Sequence, residues 1–343
     1  MKNYMGKDGF IWFQGVVEDR DDPLQLGRCR VRCLGFHTDD KTKIPTKDLP
    51  WAYPIQPITC ASINGIGQTP LGPVEGTWVV GFFRDGGNMQ QPVFFGTLGG
   101  IPQTPSDTTK GFNDPSGIYP KEDYIKEQDT NRLARGITMG TVVEKKILSA
   151  GTGGRPTANE KNDHGWVEPH TQFNSQYPYN HVYESESGHI QEFDDTPNAE
   201  RIHTYHKKGT FEEIHPDGSR VTKVVDDDYE LVYGKKFVHI SGNANILIGD
   251  DDASSSSNLT LYVKGNVDMQ VDGNVTETVN GDVNQTVNGG GVFIKTVAPD
   301  NEQGNAGAVT VDASGSLTVT SKGDMAFVSK KSIRLKAPSI NLN

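Results

Sequence analysis

The sequence predicts an all-β protein: a small N-terminal barrel, a connector, and a C-terminal shaft in which three chains intertwine. Three observations carry this expectation. Residues 10–100 contain short alternating strand-like runs, the last third of the chain repeats every eight residues, and 39 Gly and 19 Pro accompany only 34% hydrophobic residues. That composition is poor for a helical globule and ordinary for β-structure with many turns.

The 343 residues exceed one compact domain. A formal charge of −11 argues against binding nucleic acid or an anionic membrane through a broad basic patch. Cys29, Cys33 and Cys60 form an odd set without a CxxC pair, so no disulfide framework is expected. The N-terminal MKNYMGKDGF lacks an apolar signal core, and no stretch approaches the ~20 apolar residues of a membrane span. Synthesis and assembly in a cytoplasm are expected.

Residues 1–100 read as the barrel: FIWFQGVVED, GRCRVRCLGF, TWVVGFF and PVFFGTLGG are strand-like and separated by turn formers. Arg28, Arg30 and Arg32 alternate with Cys29, Val31 and Cys33, which predicts one wet face and one dry face. Asp22-Pro23 and residues 85–88 (DGGN) supply turns, because Pro fixes φ and Gly and Asn tolerate φ > 0. Five such strands fit an OB-type barrel. Its aromatics (Trp12, Phe13, Trp51, Trp78, Phe82, Phe83) could stack on bases, but no basic groove accompanies them, and a core or docking role fits better.

Residues 101–180 read as a connector rich in Pro, Gly, Asn and Asp, with one short helix expected over 120–136 from Pro and acids at its start and Arg-Gly at its end. The stretch AGTGGRPTANEKNDHG reads as an exposed loop. From residue 181 a β-meander is expected, with HIQEF, RIHTYH and TFEEI joined by Asp-Asp-Thr-Pro, Lys-Lys-Gly and Pro-Asp-Gly.

The octads VKGNVDMQ, VDGNVTET and VNGDVNQT occupy residues 263–286, and a fourth begins at Val287. Val263, Val267, Val271, Val275, Val279, Val283 and Val287 lie on odd positions, and every even position from 264 to 288 is polar. The period reappears in Gly234 and Gly242 and in Leu317, Met325 and Ile333. A strand of this pattern has one face to bury and, in so narrow a meander, nothing in its own chain to bury it against. Threefold winding solves the problem, with the Val face as the interior of a prism, so a homotrimer is expected, each buried Val contributing ~1.5–3 kcal/mol. Gly265, Gly273 and Gly281 are the expected turns of the repeat, on the reasoning that Gly turns without Cβ strain. Glu277 shares the inward parity, and an outward turn at a prism corner is expected for it. Residues 250–258 and 298–307 read as loops off the shaft.

These segments carry a resemblance. GVVEDRDDPLQLGRCRVRCLGFHT, LPWAYPI and FFRDGGNMQQPVFFGTLGG resemble the OB domain of the central baseplate spike of T-even-like contractile-tailed phages. The passage from WVEPHTQFNSQYPYNHVYESESGHIQEFDD to IHPDGS resembles the point where phage spikes and type VI secretion spikes pass into their needle, and octads around VxG resemble the needle itself. The resemblance implies a virion protein of the tail baseplate that pierces the host envelope mechanically. By it the OB domain (1–100) docks on a separate trimeric hub, the needle (181–343) touches the envelope transiently, and a small PAAR-like tip protein closes a C-terminus that lacks a His-x-His apex. A spike that also degrades cell wall, an adhesin and a secretion-system spike are the competing readings. The nine residues before Phe10 favour a phage-style split hub over the secretion-system spike.

No catalytic, cofactor or metal site is expected. Some T-even-like spikes carry a lysozyme domain between barrel and needle, and glycoside cleavage needs two carboxylates in a cleft. Glu184, Glu186, Glu192, Asp194 and Asp195 read instead as a solvated face of the meander. His189, His203, His206 and His215 fall near turns or on opposite strand faces, and the acidic runs 226–228 and 250–252 lack an EF-type spacing.

Overall fold

A computed structural model describes residues 10–149, 168–249, 257–296, 309–338 and 340. It divides into two units, Met1–Leu261 and Tyr262–Asn343.

In the first unit, β1 (Ile11–Asp19), β2 (Cys29–Cys33), β3 (Trp51–Pro54), β4 (Trp78–Phe83) and β5 (Pro92–Thr97) close a barrel in the order β1-β2-β3-β5-β4. Only β3–β5 is parallel. The interior is filled by Phe13, Val17, Cys29, Val31, Cys33, Ala52, Val79, Phe83 and Phe94. Burial pushes the Cys29 and Cys33 thiols up to about 12, as inert small hydrophobes. Trp12 stays outside, stacked edge-on against Phe82 and Phe95, and Trp51 lies against the guanidinium groups of Arg28 and Arg30.

The expected wet face of β2 is not wet. Arg32 is fully buried and Arg28 nearly so. Arg32 Nε donates to Glu18 Oε1 at 2.6 Å and its other nitrogens to the carbonyls of Thr38 and Ile44. The connector seals this face: the Phe112 amide donates to Glu18, and the Gly111 backbone lies so close that a Cβ there would sit 2.3 Å from Arg32 Nε. Alternation correctly separated two faces, but a chain segment from beyond the barrel covers the second.

Over 120–136 the structure has two 3-10 turns, Glu122–Tyr124 and Leu133–Arg135, and no α-helix. Local side-chain bonds compete with a helix there: Asp129 accepts from the Asn131 amide and Asn131 from the Ala134 amide, while Lys126 takes a positive φ of 66°. Gly136 stops the second turn in the left-handed conformation (φ 74°), as its position suggested. Helix α1 lies further on, at Val142–Ser149. The loop expected over 150–165 lies outside the described residues.

Strands β6 (Asn180–Glu184), β7 (Ile190–Asp194), β8 (Arg201–Tyr205), β9 (Phe211–Ile214) and β10 (Arg220–Lys223) form an antiparallel meander with nearest-neighbour order, turning at the Asp-Asp-Thr-Pro, Lys-Lys-Gly and Pro-Asp-Gly sequences. One sheet face packs on the connector through Leu133, Val142, Val143, Ile190, Tyr205 and Phe211. Arg20 of the barrel ties the two parts together, donating to both oxygens of Glu186 in the β6–β7 turn and pairing with Glu75.

Beyond Lys223 no ladder joins two segments of the described residues. The chain runs extended between bends that recur every eight residues. They fall at 225–226, 233–234 and 241–242 in the first unit, and at 264–265, 272–273, 280–281, 288–290, 314–315, 322–323 and 330–331 in the second.

Candidate functional site

Two features of the molecule bear on its function. The first is the repeat. Its strands are six residues long between bends, with Val on alternate positions, and every one of those valines is open to solvent in the single chain. Val263, Val271, Val279 and Val287, beside the bends, are 43–47% exposed, while Val267, Val275 and Val283, mid-strand, are 66–69% exposed. The exposure therefore follows the octad, and no residue of the same chain covers either set. The backbone poses the same demand, because extended segments without a ladder leave N–H and C=O groups that a stable structure must pair.

Gly265, Gly273 and Gly281 do sit at the bends. The expected reason for them does not hold in the single chain. None has a positive φ, and a Cβ built on any of the three meets nothing within 4 Å. Glycine recurs every eight residues where neither its backbone freedom nor an intrachain contact requires it. Glu277, on the same parity, is exposed.

The second feature is a buried charge network on the connector side of the meander, at positions expected to form a solvated face. Of the five carboxylates, Glu184, Glu186 and Asp195 are exposed, but Glu192 and Asp194 are buried. Arg201, wholly buried, donates to Glu192 Oε2 at 2.7 Å and to Glu213 Oε1 at 3.1 Å. Glu192 also meets His203 Nδ1 at 2.8 Å and accepts from Asn180, and Glu213 accepts from Lys146 of α1 and from Thr171. Burial alone would raise the Glu213 carboxyl, but Lys146, Thr171 and Arg201 outweigh it and hold it at about 2. Glu192 is lowered in the same way, against burial, by His203 and Arg201. Burial lowers His203 more than Glu192 raises it, so the imidazole is neutral at pH 7. Asp194 accepts from Ser175 and from the Thr196 hydroxyl.

This arrangement fixes α1 and the connector against the sheet and takes Glu192 and Asp194 out of solvent; Glu184 and Glu186 do line a cleft, beside Lys121, Asp123 and Arg132, where they accept from Tyr124 and from Arg20 and Tyr119, respectively. His203 and His215 belong to the network, His215 Nε2 lying 3.1 Å from Glu213, while His189 and His206 stack at 4.5 Å on the outside. Among the described residues no group of three or more His, Cys, Asp or Glu is arranged to hold a metal. The sequence signal missed was the period of two: Glu192 and Asp194, Arg201 and His203, Glu213 and His215 are all i, i+2 pairs, placed by the ladder on one face.

The profile of the Gp5 N-terminal OB domain matches residues 35–200, and that of the Gp5 C-terminal repeat, in three copies, matches residues 257–280. Protein Gp5 of Vibrio phage KVP40 is 48% identical over 286 residues, which is 75% of this chain and 68% of that protein. The chain belongs to the Gp5 family. The pre-baseplate central spike protein Gp5 of Enterobacteria phage T4 is 46% identical over 134 residues, 38% of this chain and 23% of that protein. An OB barrel followed by C-terminal repeats of β-helix type is therefore the architecture of this Gp5 chain. The match to the repeat begins at residue 257, whereas bends with the same period are present from 225.

Proposed function

We propose that this Gp5 chain is the central spike subunit of a contractile-tail baseplate, and that three copies wind their repeats into a triple-stranded β-helix that pierces the host envelope mechanically during contraction. One observation carries the reading: beyond Lys223 the described chain is extended, bends every eight residues, and leaves an alternating apolar face and its backbone unpaired. Three copies related by a threefold supply both the missing ladders and the cover for Val263, Val267, Val271, Val275, Val279, Val283 and Val287. The repeat glycines then have a function, since a Cβ that meets open space in one chain meets the next chain in the trimer. Glu277 turns outward at a prism corner, away from its two symmetry mates.

The barrel seats the spike on a trimeric hub in the virion baseplate, a small PAAR-like tip protein closes the C-terminal end, and assembly takes place in the host cytoplasm. The spike acts as a rigid body and breaks no bond; the absorption of Glu192 and Glu213 into ion pairs supports that reading over a glycosidase. The organisation we propose is an OB domain over 1–100, a connector over 101–180 and a needle over 181–343.

The experiment is the solution mass of the full chain and of a chain ending at residue 226. The cut belongs there because β9 and β10 complete the meander. The expected result is a trimer for the full chain and a monomer for the shorter one. A monomeric full chain overturns the prism and the piercing function with it.

A further inference from the structure

The loop between β3 and β4, residues 55–77, is tied together from within and exposed along most of its length. At its centre Gln56 donates to the Gln68 carbonyl at 3.0 Å, and the Cys60 thiol contacts Gln56 Oε1 and the Gln68 carbonyl. The Ala61 amide closes a turn on the Ile66 carbonyl at 2.8 Å. Gly67 (φ +119°) packs so tightly that a Cβ would lie 2.6 Å from Cys60 Sγ. Gln56 and Cys60 are thus turned inward, while the aliphatic side chains point outward: Ile58 is 101% exposed, Ile63 97%, Ile66 74% and Leu71 73%. A loop with a definite internal structure that holds four large aliphatics in water is shaped for a surface that covers them.

We infer that this loop docks into an apolar groove of a neighbouring baseplate protein, one loop per spike subunit. The inference deepens the proposed seating of the barrel and rests on that reading. Three properties select the occupant. Residues 49–74 contain no Asp, Glu, Lys, Arg or His in a chain that is 22% charged, so the complementary surface is itself uncharged. The loop lacks the basic and aromatic residues with which interfacial segments enter a bilayer, and it sits on a chain of net charge −11. A second copy offers poor receptors in two of its clefts, which mix charged or polar side chains with apolar ones: Lys121, Asp123, Arg132 and Glu184 with Leu133 and Val142 in one of about 200 Å³, and Asn131, Asn180 and His181 with Val182 and Phe193 in the other.

Ile58 and Ile63 are suited to the test because their exposure means that no packing within the chain is lost on substitution. Full-length Ile58→Asp/Ile63→Asp and Ile58→Val/Ile63→Val chains are supplied in trans to phage lacking the spike gene. Spike content of purified baseplates is measured by immunoblot, and the oligomer mass of each purified chain by light scattering. The expected result is an unchanged trimer with baseplate incorporation reduced about tenfold or more for the Asp pair, as for loss of a buried anchor, and retained for the Val pair. Incorporation of the Asp pair at the level of the unsubstituted chain overturns the docking loop while leaving the spike reading intact. Absence of the unsubstituted chain from baseplates overturns both. Loss of the trimer in the Asp pair assigns the loop to a second copy. Flotation of the unsubstituted chain, but not the Asp pair, with phosphatidylcholine vesicles assigns it to a bilayer; either result overturns the inference.

Discussion

Arg201 is the point at which the meander is most sensitive. Its guanidinium, with no exposed surface, serves two carboxylates that are equally buried, Glu192 at 2.7 Å and Glu213 at 3.1 Å. In Arg201→Met the methylene volume is largely kept and the charge removed. Glu213 retains Lys146 and Thr171, but Glu192 is left with Asn180 and His203 and without its guanidinium. Breaking a buried pair from one side costs about 3–5 kcal/mol. The Glu213 carboxylate gives an independent scale: held at about 2 against an ordinary 4.5, it contributes about 3 kcal/mol at neutral pH. Amide exchange of β7–β9 in the full-length chain reads the local opening, and Arg201→Met is expected to speed it by about two to four orders of magnitude. The penalty shrinks as pH falls and Glu192 takes up a proton. Arg20→Met is the contrast, since Arg20 is 37% exposed and its pair with Glu186 is worth about 1 kcal/mol or less. A change of less than about fivefold for Arg201→Met at pH 7 would refute the claim that the network holds the sheet.

Val271→Asp places three carboxylates on the interior of the proposed prism, and light scattering is expected to show loss of the trimer; a trimer of unchanged melting temperature would put the Val face outside. Gly273→Ala meets open space in the single chain, so the expected loss is in the trimer's melting temperature alone. In Arg32→Met, Glu18 stays buried with Thr46 and the Phe112 amide but without its cation, a cost of about 3–5 kcal/mol in urea unfolding of the barrel, followed by tryptophan fluorescence. Glu213 is depressed when folded, so its contribution is complete above pH 4.5 and lost as pH falls towards 2. His203 is depressed as well, so stability also declines as pH falls through 6.5; near-UV circular dichroism should record both phases.

The repeat and the barrel strands were legible because their signals are local. A period of eight needs no partner to be seen, and strand alternation over residues 28–33 separates two faces whatever covers them. What covers a face is a long-range fact. Arg32 looks solvated in sequence because its partner Glu18 lies on another strand and its lid, residues 111–112, some eighty positions away. The carboxylates of β7 look solvated for the same reason: Glu192 finds Arg201 and His203 on β8, and Asp194 finds Ser175 of the connector, contacts set by register and by a segment whose periodicity is weak. The helix expected over 120–136 failed for a local reason, since Asp129 and Asn131 bond to the backbone and leave the end signals without an interior.

The two kinds of stabilisation suit two kinds of assembly. The barrel and meander satisfy their own backbone: every strand from β1 to β10 has a ladder within the chain, and the buried charges are paired there. Ion pairs of this sort tolerate little displacement and fix one arrangement, which suits a part that must hold a defined seat. The repeat does the opposite, presenting the same valine and glycine positions every eight residues, so its apolar face alone does not set which octad meets which. A part already folded can impose that register. In the proposed spike the meander is that part: it completes its own sheet at Lys223, and the unpaired chain follows at once. A repeat released from it would retain its apolar face and lose its register.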